Sequence, residues 1–366
     1  MAGPDAVDWE LARRVAARVA RPEPFLGSSA YAALDPSFRR LTAEATELVA
    51  AETGLPGAPT PTRAVVTDRT GWSTVNLRNF RRLIGPVIAR ADHAGDGRLA
   101  PLGRRVAGAE VGVLLGWMST RVLGQYDLIP PASGAIGADD DAPGPSGDVV
   151  YYVGPNLLAL ERRFAFPAEE FRLWVALHEC THRAQFTGVP WLADHFWDLV
   201  GAVLDGVRAD PTDLLAALRR TAAERRDGRD PFARGGLSAA LASPAQRDAL
   251  DRLAGLMALL EGHGEVVMQR AGGERLQNAW RFERVLKQRR AGGSPAVRAV
   301  LRLVGLEAKL RQYAQGEAFV REVEAAGGRE LFDHVWRGPA WLPTAEEIDQ
   351  PSSWIARVRM SEAASG

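Results

Sequence analysis

Residues 178–182 read His178-Glu179-Cys180-Thr181-His182, at the end of the apolar run Phe171-Arg172-Leu173-Trp174-Val175-Ala176-Leu177. No other stretch limits the fold so tightly. Two histidines four apart lie one above the other on a helix, so both imidazoles can reach a single ion. The glutamate beside the first histidine can then reach a water on that ion, and such a constellation needs a rigid helical frame. The flanks supply one. Pro167-Ala168-Glu169-Glu170 suits a helix start, with proline in the first turn and acids at the positive end of the dipole, and Gly188 and Pro190 supply the stop. The motif therefore falls about three turns into a helix of roughly 20 residues. The plainer reading, two packed histidines in a helical scaffold without metal, puts the nearest ring nitrogens more than about 5 Å apart, whereas a shared zinc at a Zn–N distance of about 2.0–2.1 Å forces them closer.

Composition narrows the function by exclusion. Lys+Arg and Asp+Glu balance at 45 each, so no global charge points to nucleic acid or an anionic membrane. The single cysteine, Cys180, rules out an internal disulfide framework and fits a reducing compartment. It stands two residues from each histidine, so it faces the other side of the helix as a small buried apolar group. The first 24 residues scatter acids and arginines and lack the apolar core of a signal peptide. The most apolar stretch, residues 106–124, carries Glu110 and Arg121 and is too short of uncharged residues to span a bilayer. A soluble, cytoplasmic chain without nucleic-acid or membrane partners is the expectation.

Most of the chain reads as amphipathic helix: residues 41–53, 75–92, 104–123, 167–187, 192–206, 211–226, 245–270, 274–289, 296–314, 316–327 and 329–337. Two short β-branched or aromatic runs, residues 64–67 and 148–153, are the strand candidates, and a small sheet near the motif helix would pair them. Residues 130–147 and 226–238 are rich in turn formers and read as loops. Gly112-x-x-x-Gly116 allows close helix contact. The expected class is mainly α (α+β), multihelical, with at most a small β-sheet. It divides into an N-terminal helical segment over residues 1–60, a main domain over 61–358 and a frayed tail over 359–366.

Two histidines hold zinc poorly, since a catalytic site takes three protein ligands and leaves a fourth position for water. Among the other histidines (His93, His195, His263 and His334) and the carboxylates, one segment stands out, Leu259-Leu260-Glu261-Gly262-His263-Gly264-Glu265-Val266-Val267-Met268. Charges in an apolar helix need a reason, because burying an unpaired carboxylate is costly. Glu261 and Glu265 share a helix face, so Glu261 can ligate the metal while Glu265 accepts the second ring N–H of a zinc histidine. His263 is the rival third ligand.

Several segments together resemble a known family. They are Val66-Thr67-Asp68-Arg69-x-x-Trp72-x-x-x-Asn76, Leu123-Gly124-Gln125-Tyr126-Asp127, Val153-Gly154-Pro155-Asn156-Leu157 and His178-Glu179-x-x-His182-x-x-Gln185-Phe186. Val189-Pro190-Trp191-Leu192, Leu260-Glu261-Gly262, Gly305-Leu306-Glu307-x-Lys309-Leu310-x-Gln312-Tyr313 and Leu342-Pro343-Thr344 follow in collinear order. The chain resembles the actinobacterial zincin-like metallopeptidases, including the coenzyme F420 biosynthesis-associated branch. The resemblance covers roughly residues 60–358. It implies a mostly helical zincin-like fold with zinc as cofactor, His178 and His182 as ligands and Glu179 as the catalytic carboxylate. It also favours Glu261 as third ligand and Glu265 in the outer role, a spacing similar to that of thermolysin-type (gluzincin-like) enzymes.

The function that follows is zinc-dependent hydrolysis of an amide bond in a peptide or small amide, zinc-bound water attacking the carbonyl with Glu179 as general base. His263, Tyr313 and Tyr126 are candidate oxyanion or substrate contacts. The alternative is a catalytically silent zinc-binding accessory protein linked to F420 metabolism.

Overall fold

The computed structural model describes residues 7–57, 62–91, 100–128, 148–205, 244–291 and 306–365. The loops expected over residues 130–147 and 226–238, the helix over 211–226 and the first part of the run at 296–314 lie outside the described residues. The described chain is mainly helical with a small three-stranded sheet. Its contacts form two units, one of residues 1–188 with 271–278, the other of residues 189–270 with 279–366.

The first unit contains α1 (Trp9–Ala20), α2 (Ser29–Ala32), α3 (Leu34–Thr53), β1 (Arg63–Thr67), α4 (Arg69–Ala91), α5 (Ala100–Ser119), β2 (Gly124–Tyr126), β3 (Val149–Val153), α6 (Gly154–Phe164) and α7 (Ala168–Gly188). The two expected strands are β1 and β3, which pair in parallel from Arg63↔Val149 to Thr67↔Val153. The short strand β2, missed by the alternation pattern, adds antiparallel to the other side of β3, giving the order β1-β3-β2. β3 reads Val-Val-Tyr-Tyr-Val without a polar residue because it is the central strand and is buried throughout. Tyr152 stacks on Phe38 of α3 with ring centroids 3.9 Å apart, and its hydroxyl bonds Thr42 Oγ1 at 2.7 Å.

Two devices fix the frame around β2. Gly108, Gly112 and Gly116 of α5 face the N-cap Asp8 and then Ala12 and Ala16 of α1, and a Cβ at Gly112 or Gly116 would come within 2.5 or 2.7 Å of the Ala12 or Ala16 carbonyl oxygen. The glycine spacing is therefore a helix-packing seam. Beyond α5, buried Asn156 donates to the carbonyls of Ser119 and Val122, both at 2.7 Å, and accepts from Arg69 Nε at 2.7 Å. This hub ties the ends of α4, α5 and α6 together and directs the chain into β2.

The second unit contains α8 (Leu192–Asp205), most of α9 (Pro244–Gly272), then α10 (Ala279–Ala291), α11 (Leu306–Phe332), α12 (Ala345–Asp349) and α13 (Pro351–Ser365). The runs expected at 316–327 and 329–337 are one helix, α11, kinked at Gly327 and Gly328, followed by a 3-10 turn over Asp333–Trp336. Gly328 takes a positive φ of 69°, which a side chain would resist. Phe319, Val323, Phe332, Trp354 and Val358 form its core. Among the described residues, no helix is long and apolar enough to cross a membrane.

Candidate metal centre

Helix α7 is 21 residues long and carries the paired histidines about three turns from its start, as the flanking residues require. Phe171, Trp174, His178 and His182 fall on one stripe. Phe171 stacks on Trp174 with centroids 6.3 Å apart, Trp174 stacks on His178 at 6.4 Å, and His178 meets His182 edge-on at 4.6 Å. An aromatic ladder thus runs along the helix into the ligand pair.

The two Nε2 atoms are 3.3 Å apart. The separation of more than about 5 Å expected of a metal-free scaffold is not found, and 3.3 Å also lies within hydrogen-bond reach of one ring nitrogen to the other. Two Zn–N bonds of about 2.05 Å closing on atoms 3.3 Å apart subtend about 107°, close to the tetrahedral angle that zinc adopts. The pair fits one zinc ion. Buried Gln185, one turn beyond His182, places its amide oxygen 3.0 Å from His182 Nδ1. An amide oxygen only accepts, so Nδ1 carries the proton and the lone pair stands at Nε2, where a metal would be met. Gln185 is a site residue that the search for acids and histidines passed over. Its three-residue spacing from His182, on the same helix face, was the available signal.

Glu179 is buried, and its carboxylate rests against β2. Oε2 accepts the backbone N–H of Tyr126 at 3.1 Å, and the side chain crosses the bare Cα of Gly124. Four residues on, buried Arg183 meets Asp148, with Nε 2.6 Å from Oδ1 and a second ion-pair contact between the terminal groups. Gly124 faces Glu179, and Tyr126, two residues along the strand, lies near Arg183. The match is one of pitch: two strand residues advance about 6.8 Å and four helix residues about 6 Å. Burial first, then the Asp148 charge, pushes the Tyr126 phenol up to about 12. On the opposite face of β2, Gln125 exchanges two hydrogen bonds with Asn76 of α4, at 3.2 and 3.1 Å, and Asp127 accepts from Asn79 at 3.1 Å. Cys180 faces away from the ligand stripe, as expected. Its buried thiol lies 3.7 Å from the Thr42 carbonyl oxygen and 3.6 Å from Thr46 Oγ1.

In the second unit, α9 carries the acidic segment. Glu261 is half-buried, and the next residue, Gly262, meets the backbone of Gly316 on α11. His263 is buried, stacked on Phe332 at 5.3 Å and edge-on to Trp336 at 5.1 Å. Glu265 accepts from Gln269 Nε2 at 3.1 Å and shares a hydrogen bond with Glu283. Burial and the Glu283 carboxyl push its pKa up to about 8. His195 packs edge-on to Trp191 at 5.9 Å, and burial lowers its pKa. His334 is engaged by Glu362 at 2.7 Å through Nε2. Tyr313 lies on α11, but its side chain and all of His93 fall outside the described residues.

Comparison with known proteins follows the same line. The profile of the family described as zincin-like metallopeptidase matches residues 7–355. The chain is also similar to a solved protein of Chloroflexus aurantiacus described as a candidate hydrolase with a novel fold. The two share 28% identity and a TM-score of 0.68, over 96% of this chain and 99% of that one. No curated protein matches the chain.

Proposed function

The chain belongs to the zincin-like metallopeptidase family, and from that premise we propose that it is a zinc-dependent hydrolase of amide bonds, acting on a peptide or small amide. The observation that carries this reading is the pair of Nε2 atoms 3.3 Å apart on α7, with Glu179 on the same helix beside the first of them. The family implies zinc, and the donor set is of the type zinc takes: two ring nitrogens from His178 and His182, and a carboxylate that we assign to Glu261. Glu265, one turn after Glu261 and expected in the outer role, instead hydrogen-bonds Gln269 and Glu283, so it is left out of the assignment.

Zinc, when bound, would polarise the scissile carbonyl and acidify a nearby water. Glu179 takes a proton from the attacking water and hands it to the leaving nitrogen. Gln185 keeps His182 in the tautomer that presents Nε2.

The test begins with elemental analysis of protein purified without added metal, where about one zinc per chain is expected for a single three-ligand site. His178→Ala should lose the metal. Glu179→Gln should keep it while losing cleavage of every member of a peptide library that the wild type cuts. Full activity in Glu179→Gln, or a chain that takes up no metal, would end this reading.

A further inference from the structure

We propose that β2 positions the general base: the missing side chain of Gly124 and the backbone N–H of Tyr126 together form a cradle that sets where the Glu179 carboxylate sits. The inference rests on the hydrolase reading for its catalytic consequence, and on geometry alone for the cradle itself.

Three observations converge. First, the three atoms nearest a Cβ built on Gly124 all belong to Glu179: Cγ at 2.7 Å, Oε1 at 2.7 Å and Cδ at 2.9 Å. A strand ordinarily disfavours glycine, and a glycine within one often marks close approach by another group. Here that group is the glutamate of the metal motif. Second, β2 is an edge strand, and its ladder alternates. Asp127 N–H donates to the Val149 carbonyl and the Leu123 carbonyl accepts from Val153, both at 2.9 Å, so the odd-numbered residues bond β3. The Tyr126 N–H therefore points away from β3, and its acceptor is Glu179 Oε2 at 3.1 Å. Third, the strand is itself held from its other face by the Asn76–Gln125 and Asn79–Asp127 hydrogen bonds. Glu179 thus leans on a clamped strand, with one oxygen tied to a backbone donor. A backbone donor has no rotamer to lose, and a carboxylate accepting it is confined in both direction and distance.

Amide exchange in the full-length ¹⁵N-labelled chain tests the cradle without any substrate. Tyr126 N–H should be protected in the wild type, where Glu179 accepts it. It should exchange at least about tenfold faster in Glu179→Ala and in Gly124→Ala, while the Asp127 N–H, bonded within the ladder, keeps its wild-type rate. An unchanged Tyr126 rate in Gly124→Ala overturns the proposal. Should Asp127 also speed up, a thermal double-mutant cycle decides. The loss of melting temperature caused by Gly124→Ala should shrink in the Glu179→Ala background, where the obstructing atoms are gone, and an equal loss in both backgrounds overturns the cradle. In kinetics, Gly124→Ala should lower kcat by about 10- to 100-fold, in line with the cost of displacing a reacting group by an ångström, with KM and zinc content kept. Unaltered kcat in Gly124→Ala beside an inactive Glu179→Gln sinks the positioning role and leaves the hydrolase reading standing. A wild type that cleaves nothing sinks the hydrolase reading, while the exchange rates still decide the cradle.

Discussion

Gly262 and Gly316 meet backbone to backbone where α9 crosses α11, with no side chain between them. A Cβ on Gly262 would overlap the Gly316 carbonyl group, and one on Gly316 would overlap the carbonyl of Ala258. Neither obstruction is the movable end of a side chain, so the helices must part. Gly262→Ala should therefore destabilise the chain by about 1–3 kcal/mol, the usual cost of overpacking. It should also weaken zinc retention, because the preceding residue is Glu261, which we propose as the third ligand. Urea denaturation and metal content measure the two effects. A wild-type midpoint in Gly262→Ala would mean that the helices do not cross so closely.

The Arg183–Asp148 pair joins a buried guanidinium to a half-buried carboxylate, with side chains 5% and 13% exposed. Removing the acid charge alone, as in Asp148→Asn, weakens both contacts to Arg183 and should cost about 1–3 kcal/mol. Replacing both partners with apolar residues should cost less than the two single changes summed. The readout is a double-mutant cycle in denaturant, and strict additivity would count against the pair acting as a unit.

Glu265 sets a pH dependence of known sign. Its carboxyl titrates at about 8 in the folded chain against an ordinary value of 4.5. Between those two values the folded state holds a proton that the unfolded state has released. The stability tied to this group is full below pH 4.5 and declines as pH rises toward 8. Glu265→Gln stays neutral throughout and should flatten that part of the curve for the metal-free chain. A wild-type minus variant difference that is constant across the window would refute the assignment.

Cys180 should resist alkylation in the native state. Burial pushes its thiol up to about 12, so almost no thiolate exists at neutral pH. Iodoacetamide labelling followed by mass spectrometry should report only unfolded chain. Fast labelling under native conditions would contradict the packing of α7 against α3.

Much of the site was legible because its signals are local. The histidine pair, its glutamate and the frame of α7 follow from spacing and end signals, and β1 and β3 from β-branched runs. What escaped is set by tertiary contact. β2 is three residues long and its Gly124 is a poor strand former, so no alternation marks it. Its pairing with β3 and the clamp of Asn76 and Asn79 create it. Helices α1 and α6 went unmarked for a similar reason: α1 buries alanines, with Ala12 and Ala16 against the glycine seam of α5, while α6 begins at the Gly-Pro-Asn hub. Gln185 and the Tyr126 amide belong to no ligand motif, since one is an uncharged side chain and the other is backbone.

The ladder that ends in the ligand pair has a spectroscopic consequence. The Trp174 indole lies stacked on His178, with the two planes within 12° of parallel. Any event that changes the charge on that imidazole alters the field across the neighbouring ring. A fluorine label on Trp174 therefore turns the helix into its own gauge of metal occupancy, readable by ¹⁹F resonance before a substrate is identified.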